Sequence, residues 1–176
     1  MKILLVGPWQ VPWHQDRLAN SLNELGVTVL KFSWSDDFWV HTGLPSTFKS
    51  PLHKLQYRLV WGPIVTALQK RFLATLRRER PQVVFLYGVQ HILASTLRQA
   101  KEESKRTLYI AYHNDDPFSP HADRIFWREA RAGLAMIDHH FVYRPQNVDD
   151  LRQLGLTNSS VFIVRGLRPC SMPIEL

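Results

Sequence analysis

The sequence predicts an α/β fold, a doubly wound and mostly parallel six-stranded sheet with helices on both faces. Three observations carry this. Six short apolar runs recur along the chain, rich in Val, Ile, Leu, Phe and Tyr. They are near-continuous rather than alternating, the pattern of strands buried on both faces. Most are separated by segments with apolar residues at helical spacing, and a helix between successive strands implies a parallel crossover.

The first run, "KILLVG" from Lys2, ends on Gly7 and Pro8. A helix is predicted from Asp16, where Leu18, Leu22 and Leu25 share one face and Gly26 suits a left-handed cap. "VTVLKF" is the second strand. An irregular stretch follows, "SWSDDFWVHTGLPSTFKSP", broken by Gly43, Pro45 and Pro51. From His53 the chain reads as helix, divided at Gly62 and Pro63, with Trp61, Ile64, Val65, Leu68, Phe72 and Leu76 as its apolar stripe. "QVVFLYG" is the third strand and a helix follows from Gln90 to Glu103. "TLYIAY" is the fourth, then a helix from Ala122 to Ala135 and a fifth strand at "HHFVY". Pro145 marks a turn, Asn147 caps the short helix "VDDLRQLG", and "SVFIV" is the sixth strand.

The 176 residues fit one Rossmann-like domain. A single cysteine, Cys170, excludes an internal disulfide and fits a reducing cytoplasm. "MKILLVG" is too short for a signal core, and no 18-residue apolar run occurs, so a membrane span is not expected. The net charge is +7, and nearly all of the excess lies between His53 and Pro81. There Lys54, Arg58, Lys70, Arg71, Arg77, Arg78 and Arg80 face Glu79 alone. Lys70, Arg71, Arg77 and Arg78 read as an anion or membrane-surface patch, or as a solvated helix face whose side chains cover the core. Nucleic acid is not expected, because no recognition motif accompanies the charge.

Ligands of doubly wound sheets gather beyond the carboxyl ends of the strands. That edge should collect the loops holding Gly7, Trp9, Trp13, His14, Trp34, Trp39, His91, Asn114 and Arg144, all candidates for substrate binding. The densest is "LYIAYHNDDPF", where the fourth strand runs into His113, Asn114, Asp115 and Asp116. His113 reads as a general base tuned by a carboxylate, or as a residue that merely ends the strand. Asp115 and Asp116 either orient that histidine, contact substrate, join His113 and His121 at a metal, or form an Asx turn. The spacing matches no zinc or calcium site, so no metal is expected. The tryptophans and Phe38 either stack on sugar rings or close the core. "GPWQVP" lacks the glycines of a dinucleotide fingerprint, no P-loop or Gly-x-Ser-x-Gly elbow occurs, and no cofactor is expected.

"KILLVG", "LANSLNELGVTVLKF", "RERPQVVFLYG" and "LYIAYHNDDPF" together resemble the N-terminal half of a GT-B glycosyltransferase. The resemblance implies an acceptor-binding domain for transfer from a nucleotide-sugar donor to the hydroxyl of a sugar or lipid-linked acceptor. It implies His113 as catalytic, with Asp115 and Asp116 fixing it or the acceptor. The loop from Gly7 to Trp13 would lie beside donor phosphates, although it lacks the family's usual glycine pair. Basic amphipathic helices on this half imply an acceptor taken from an anionic membrane surface. The nucleotide-sugar site belongs to the family's second half, so a further domain is expected after Leu176, without which this chain is inactive. Two other classes stay open: a stand-alone binding module without chemistry, and a metal-assisted hydrolase built on His113, Asp115, Asp116 and His121.

Overall fold

A computed structural model describes residues 1–9, 12–40 and 47–162, with the side chains of 12–14 outside that description. Six parallel strands form the main sheet: β1 (Lys2–Gly7), β2 (Thr28–Ser33), β5 (Val83–Tyr87), β6 (Leu108–His113), β7 (His139–Val142) and β8 (Ser159–Val161). Their spatial order is β2-β1-β5-β6-β7-β8. β1 is an interior strand and pairs on both sides, Ile3 with Val29 and with Val83. Its residues Leu4, Leu5 and Val6 have no exposed surface, as a strand covered on both faces requires.

The chain steps one way from β1 to β2 and the other way from β2 to β5. Right-handed crossovers therefore place α1 (Pro12–Glu24) and α3 (Pro63–Glu79) on opposite faces. The reversal puts a topological switch point between β1 and β5. Beside α3 lies α4 (Ala94–Glu103), which packs in turn on α5 (Arg128–Gly133), while α6 (Gln146–Gln153) packs near β8. Val65, Leu68, Phe72 and Leu76 of α3 enter the core with Leu4, Val84, Leu86 and Tyr109.

Several boundaries differ from expectation. α1 starts at Pro12, four residues early, because proline fits a first helical turn. α2 (Pro51–Leu59) starts at Pro51 for the same reason, with the Ser50 hydroxyl accepting from the His53 amide. α4 starts at Ala94 rather than Gln90, since residues 90–93 are held by a side chain of α3. The predicted helix 122–135 shrinks to α5 and one 3-10 turn, Leu134–Met136. Trp61 leaves the apolar stripe and is 71% exposed, because Val60 takes a left-handed conformation and ends α2 just before it. Asn147 lies inside α6 and does not cap it. The irregular stretch holds a 3-10 turn at Ser35–Asp37 and a small antiparallel pair, β3 (Trp39–Val40) with β4 (Thr47–Phe48). The sixth-strand residues Ile163 and Val164 lie outside the described residues.

Candidate functional site

The carboxyl ends of the strands open on one edge, and a cleft of about 170 Å³ lies there over the switch point. Pro8 after β1 and Trp34 after β2 form one side. Tyr87, Gly88 and Gln90 come from the end of β5, Asn114 and Asp115 from the end of β6. Tyr57 of α2 and Phe126, ahead of α5, close the remaining wall.

This geometry has local causes. Gly88 takes φ 78°, and a Cβ there would stand 2.7 Å from the Gln90 amide oxygen, so only glycine lets the chain turn while Gln90 folds back. Buried Gln69 of α3 pins the next residues. Its Nε2 donates to the Val65 carbonyl (3.1 Å) and the His91 carbonyl (2.9 Å), and its Oε1 accepts from the Leu93 amide (3.0 Å). Asp123 accepts from the Ile125 and Phe126 amides and from Arg58 of α2, which holds Phe126 against Tyr57 at 5.5 Å between rings.

The aromatic wall is built around His91, which has no exposed surface. Its ring stacks on Trp34 at 4.3 Å and lies 4.4 Å from Tyr57. Its Nε2 donates to the Tyr57 carbonyl (3.2 Å), which fixes the neutral tautomer. Burial pushes its pKa down to about 3, against the pull of that carbonyl. His91 therefore backs the cleft instead of lining it. Trp39 stands a further layer behind, stacked on Phe48 at 3.8 Å and edge-on to Tyr57.

The predicted catalytic residues part company. β6 runs through His113, in register with Val142, so the ring is only 5% exposed. It shares one proton with buried His140, Nε2 to Nδ1 at 3.0 Å. Burial, with a smaller push from His140 beside it, lowers the His113 pKa to about 3. Burial likewise lowers His140 to about 4, opposed by the Leu134 carbonyl. Asp116 forms an Asx turn, accepting from the Phe118 amide (2.9 Å), the Ser119 amide (3.1 Å) and Asn147 Nδ2 (2.8 Å). Burial pushes its carboxyl up, but these bonds and one from Gln146 outweigh it and hold the pKa below the usual range. Asp115 alone of the three reaches the cleft. It is exposed, and its charge helps to raise the hydroxyls of Tyr57 and Tyr87, on which burial is the larger cause; Tyr87 rises to about 12.

Of the other candidates, Trp34 and Asn114 reach the cleft. Gly7 lies beneath it, and a Cβ there would press on Gln15 at 3.3 Å and Tyr87 at 3.4 Å. Trp9 turns away: its Nε1 donates to the Phe32 carbonyl (3.1 Å) and Lys31 sits 4.7 Å over its ring. Arg144 is half-buried after β7 with Nη1 unpartnered among the described residues, and it does not line the cleft. The side chains of Trp13 and His14 lie outside the described residues. His121 is exposed, and among the described residues no three metal-ligating side chains converge. In the basic segment Arg71 pairs with Asp37, Arg77 with Glu103 at 2.7 Å and Arg78 with Glu79 at 2.7 Å, leaving Lys70 as the member without an ion pair among the described residues. Among those residues no helix is long and apolar enough to cross a membrane.

Sequence reasoning missed Tyr57, Phe126, Tyr87 and Gln90 as wall residues. The neighbouring Gly88 was the readable signal for Gln90; Tyr57 and Phe126 are brought in by tertiary packing alone.

No family model and no curated protein matches the chain. A solved structure, described as a UDP-N-acetylglucosamine 2-epimerase from Listeria monocytogenes, is similar in fold, with TM-score 0.56 and 14% identity. The match covers 90% of this chain and 43% of that one, so the chain spans less than half the length of this structural neighbour. At that identity the likeness establishes the Rossmann-like α/β fold.

Proposed function

We propose that the chain is the acceptor-side domain of a GT-B glycosyltransferase, which moves a sugar from a nucleotide-sugar donor to an acceptor hydroxyl. The observation that carries this reading is the cleft at the switch point, with aromatic faces on its walls and an exposed carboxylate at its mouth. Trp34, Tyr57 and Phe126 offer flat apolar surfaces for the C–H faces of a sugar ring, and Asn114 and Gln90 offer amides for its hydroxyls. Asp115 accepts the hydrogen bond of the attacking hydroxyl and takes its proton as the bond to the anomeric carbon forms and the nucleoside diphosphate leaves. Asp116 and the His113–His140 pair position the loop that carries it.

Two further observations support the reading. The cleft is smaller than the ~300–1,000 Å³ of most small-molecule sites, as half of an interdomain site would be. The structural neighbour is named for a nucleotide sugar and is more than twice as long. The donor would accordingly sit on a second domain, and this one alone would be silent because the reactants are not held together. The basic segment contributes less than its charge suggests, since three of its four arginine and lysine candidates are ion-paired within the domain.

Isotope-edited NMR of the 176-residue chain against a panel of monosaccharides and nucleotide sugars tests the proposal. Saccharide-induced shifts confined to the Trp34 indole and the Gln90 and Asn114 amides are expected, lost in Trp34→Ala and weakened at least tenfold in Asp115→Asn. Absence of binding by every saccharide, or binding indifferent to both substitutions, would overturn it.

A further inference from the structure

The cleft wall has an unusual balance of charge. Among the described residues that line it, Asp115 is the one charged side chain, and none is a lysine, arginine or histidine. Four of its nine described lining residues are aromatic: Trp34, Tyr57, Tyr87 and Phe126. Aromatic faces carry negative electrostatic potential, and a carboxylate adds a full negative charge. Among the described residues Asp115 has no ion-pair partner, whereas nearby Asp116 and Asp123 are both held by donors of the protein. A phosphate placed here meets like charge and, among the described residues, finds no cation in the wall. A positively charged ligand finds a counter-ion and ring faces at once.

The geometry points to a cleft selective for an ammonium-bearing ligand, a small amino alcohol or amino sugar whose cationic nitrogen seats against the Trp34, Tyr57 and Phe126 faces beside Asp115. This rests on the acceptor-side reading and narrows its substrate class. The two roles of Asp115 are compatible, since a carboxylate presents about four lone-pair positions, enough for a hydroxyl and an ammonium together. The volume of about 170 Å³ suits one such group and not an extended chain. The same field accounts for where the donor goes: its diphosphate must be held by another part of the enzyme.

The test uses choline, its uncharged carbon isostere 3,3-dimethyl-1-butanol, and inorganic phosphate, each titrated into the 176-residue chain at constant ionic strength and followed by NMR. Choline is expected to shift the Trp34 indole and to bind at least tenfold more tightly than the isostere. Asp115→Asn, an exposed change whose folding is checked by thermal melt, should cost choline at least tenfold and erase its preference over the isostere. Phosphate should produce no shift in the cleft. Equal affinity for choline and isostere, choline binding unchanged in Asp115→Asn, or phosphate binding at the cleft would each overturn the inference. If neutral sugars bind the cleft while choline shows no preference over its isostere, only the charge selection fails. If neither sugars nor choline bind, the acceptor-side reading fails with it.

Discussion

Burial sorts residues that look alike in the sequence. Asp115 and Asp116 are neighbours of one type, yet four donors of the protein hold Asp116 while Asp115 faces the cleft. His91, His113 and His140 are all sealed in the fold as neutral rings, with pKa values pushed to about 3, about 3 and about 4. Each lies below the ~6.5 of an exposed histidine, so the unfolded chain binds protons that the native fold refuses. The stability they contribute is full above pH ~6.5 and is lost as pH falls toward 4. The loss is at most roughly 1.4 kcal/mol per histidine per pH unit. Urea midpoints at pH 7 and pH 5 measure it, and His91→Phe should shrink the difference between them. A midpoint that does not change over this range would mean that the rings are solvated.

Elements are set by punctuation more than by pattern. α2 and α3 are joined through Gly62, whose φ of 116° excludes most side chains and whose missing Cβ leaves room for Gln56. The Gln56 amide oxygen in turn accepts from the Ile64 amide at 2.9 Å and caps α3. Gly62→Ala should therefore destabilise the domain by about 1–3 kcal/mol, read as a fall in the denaturant midpoint. The division of this segment was legible because Gly62-Pro63 is a strong breaker. The cap was not, because nothing in "HKLQYRL" marks Gln56 as the buried partner of a backbone amide eight residues past it. The short α5 has a similar cause: the Asp123 turn, which binds the Ile125 and Phe126 amides, takes the first residues that helical spacing assigned to a longer helix. The end of β6 was read one residue early because a run of apolar residues cannot show where a strand stops. Pairing with β7 carries β6 one residue further and takes the imidazole inside.

At the scale of the whole molecule, the sheet was readable and the site only partly so. Six apolar runs separated by crossover segments leave little choice of architecture, and the edge on which ligands gather follows from it. Which side chains meet at that edge depends on contacts between distant parts of the chain. Tyr57 and Phe126, 69 positions apart in sequence, face each other at 5.5 Å because Arg58 ties α2 to Asp123. The result is an aromatic cleft at the switch point with the Asp115 carboxylate at its mouth, which we propose takes the acceptor. The most direct measurement is nucleoside diphosphate release by the full-length native protein, supplied with a panel of nucleotide sugars with and without amino-sugar or amino-alcohol acceptors. The account predicts acceptor-dependent release that falls at least a hundredfold in Asp115→Asn with the native fold intact. Release that ignores the acceptor, or an Asp115→Asn enzyme as active as the parent, would contradict it.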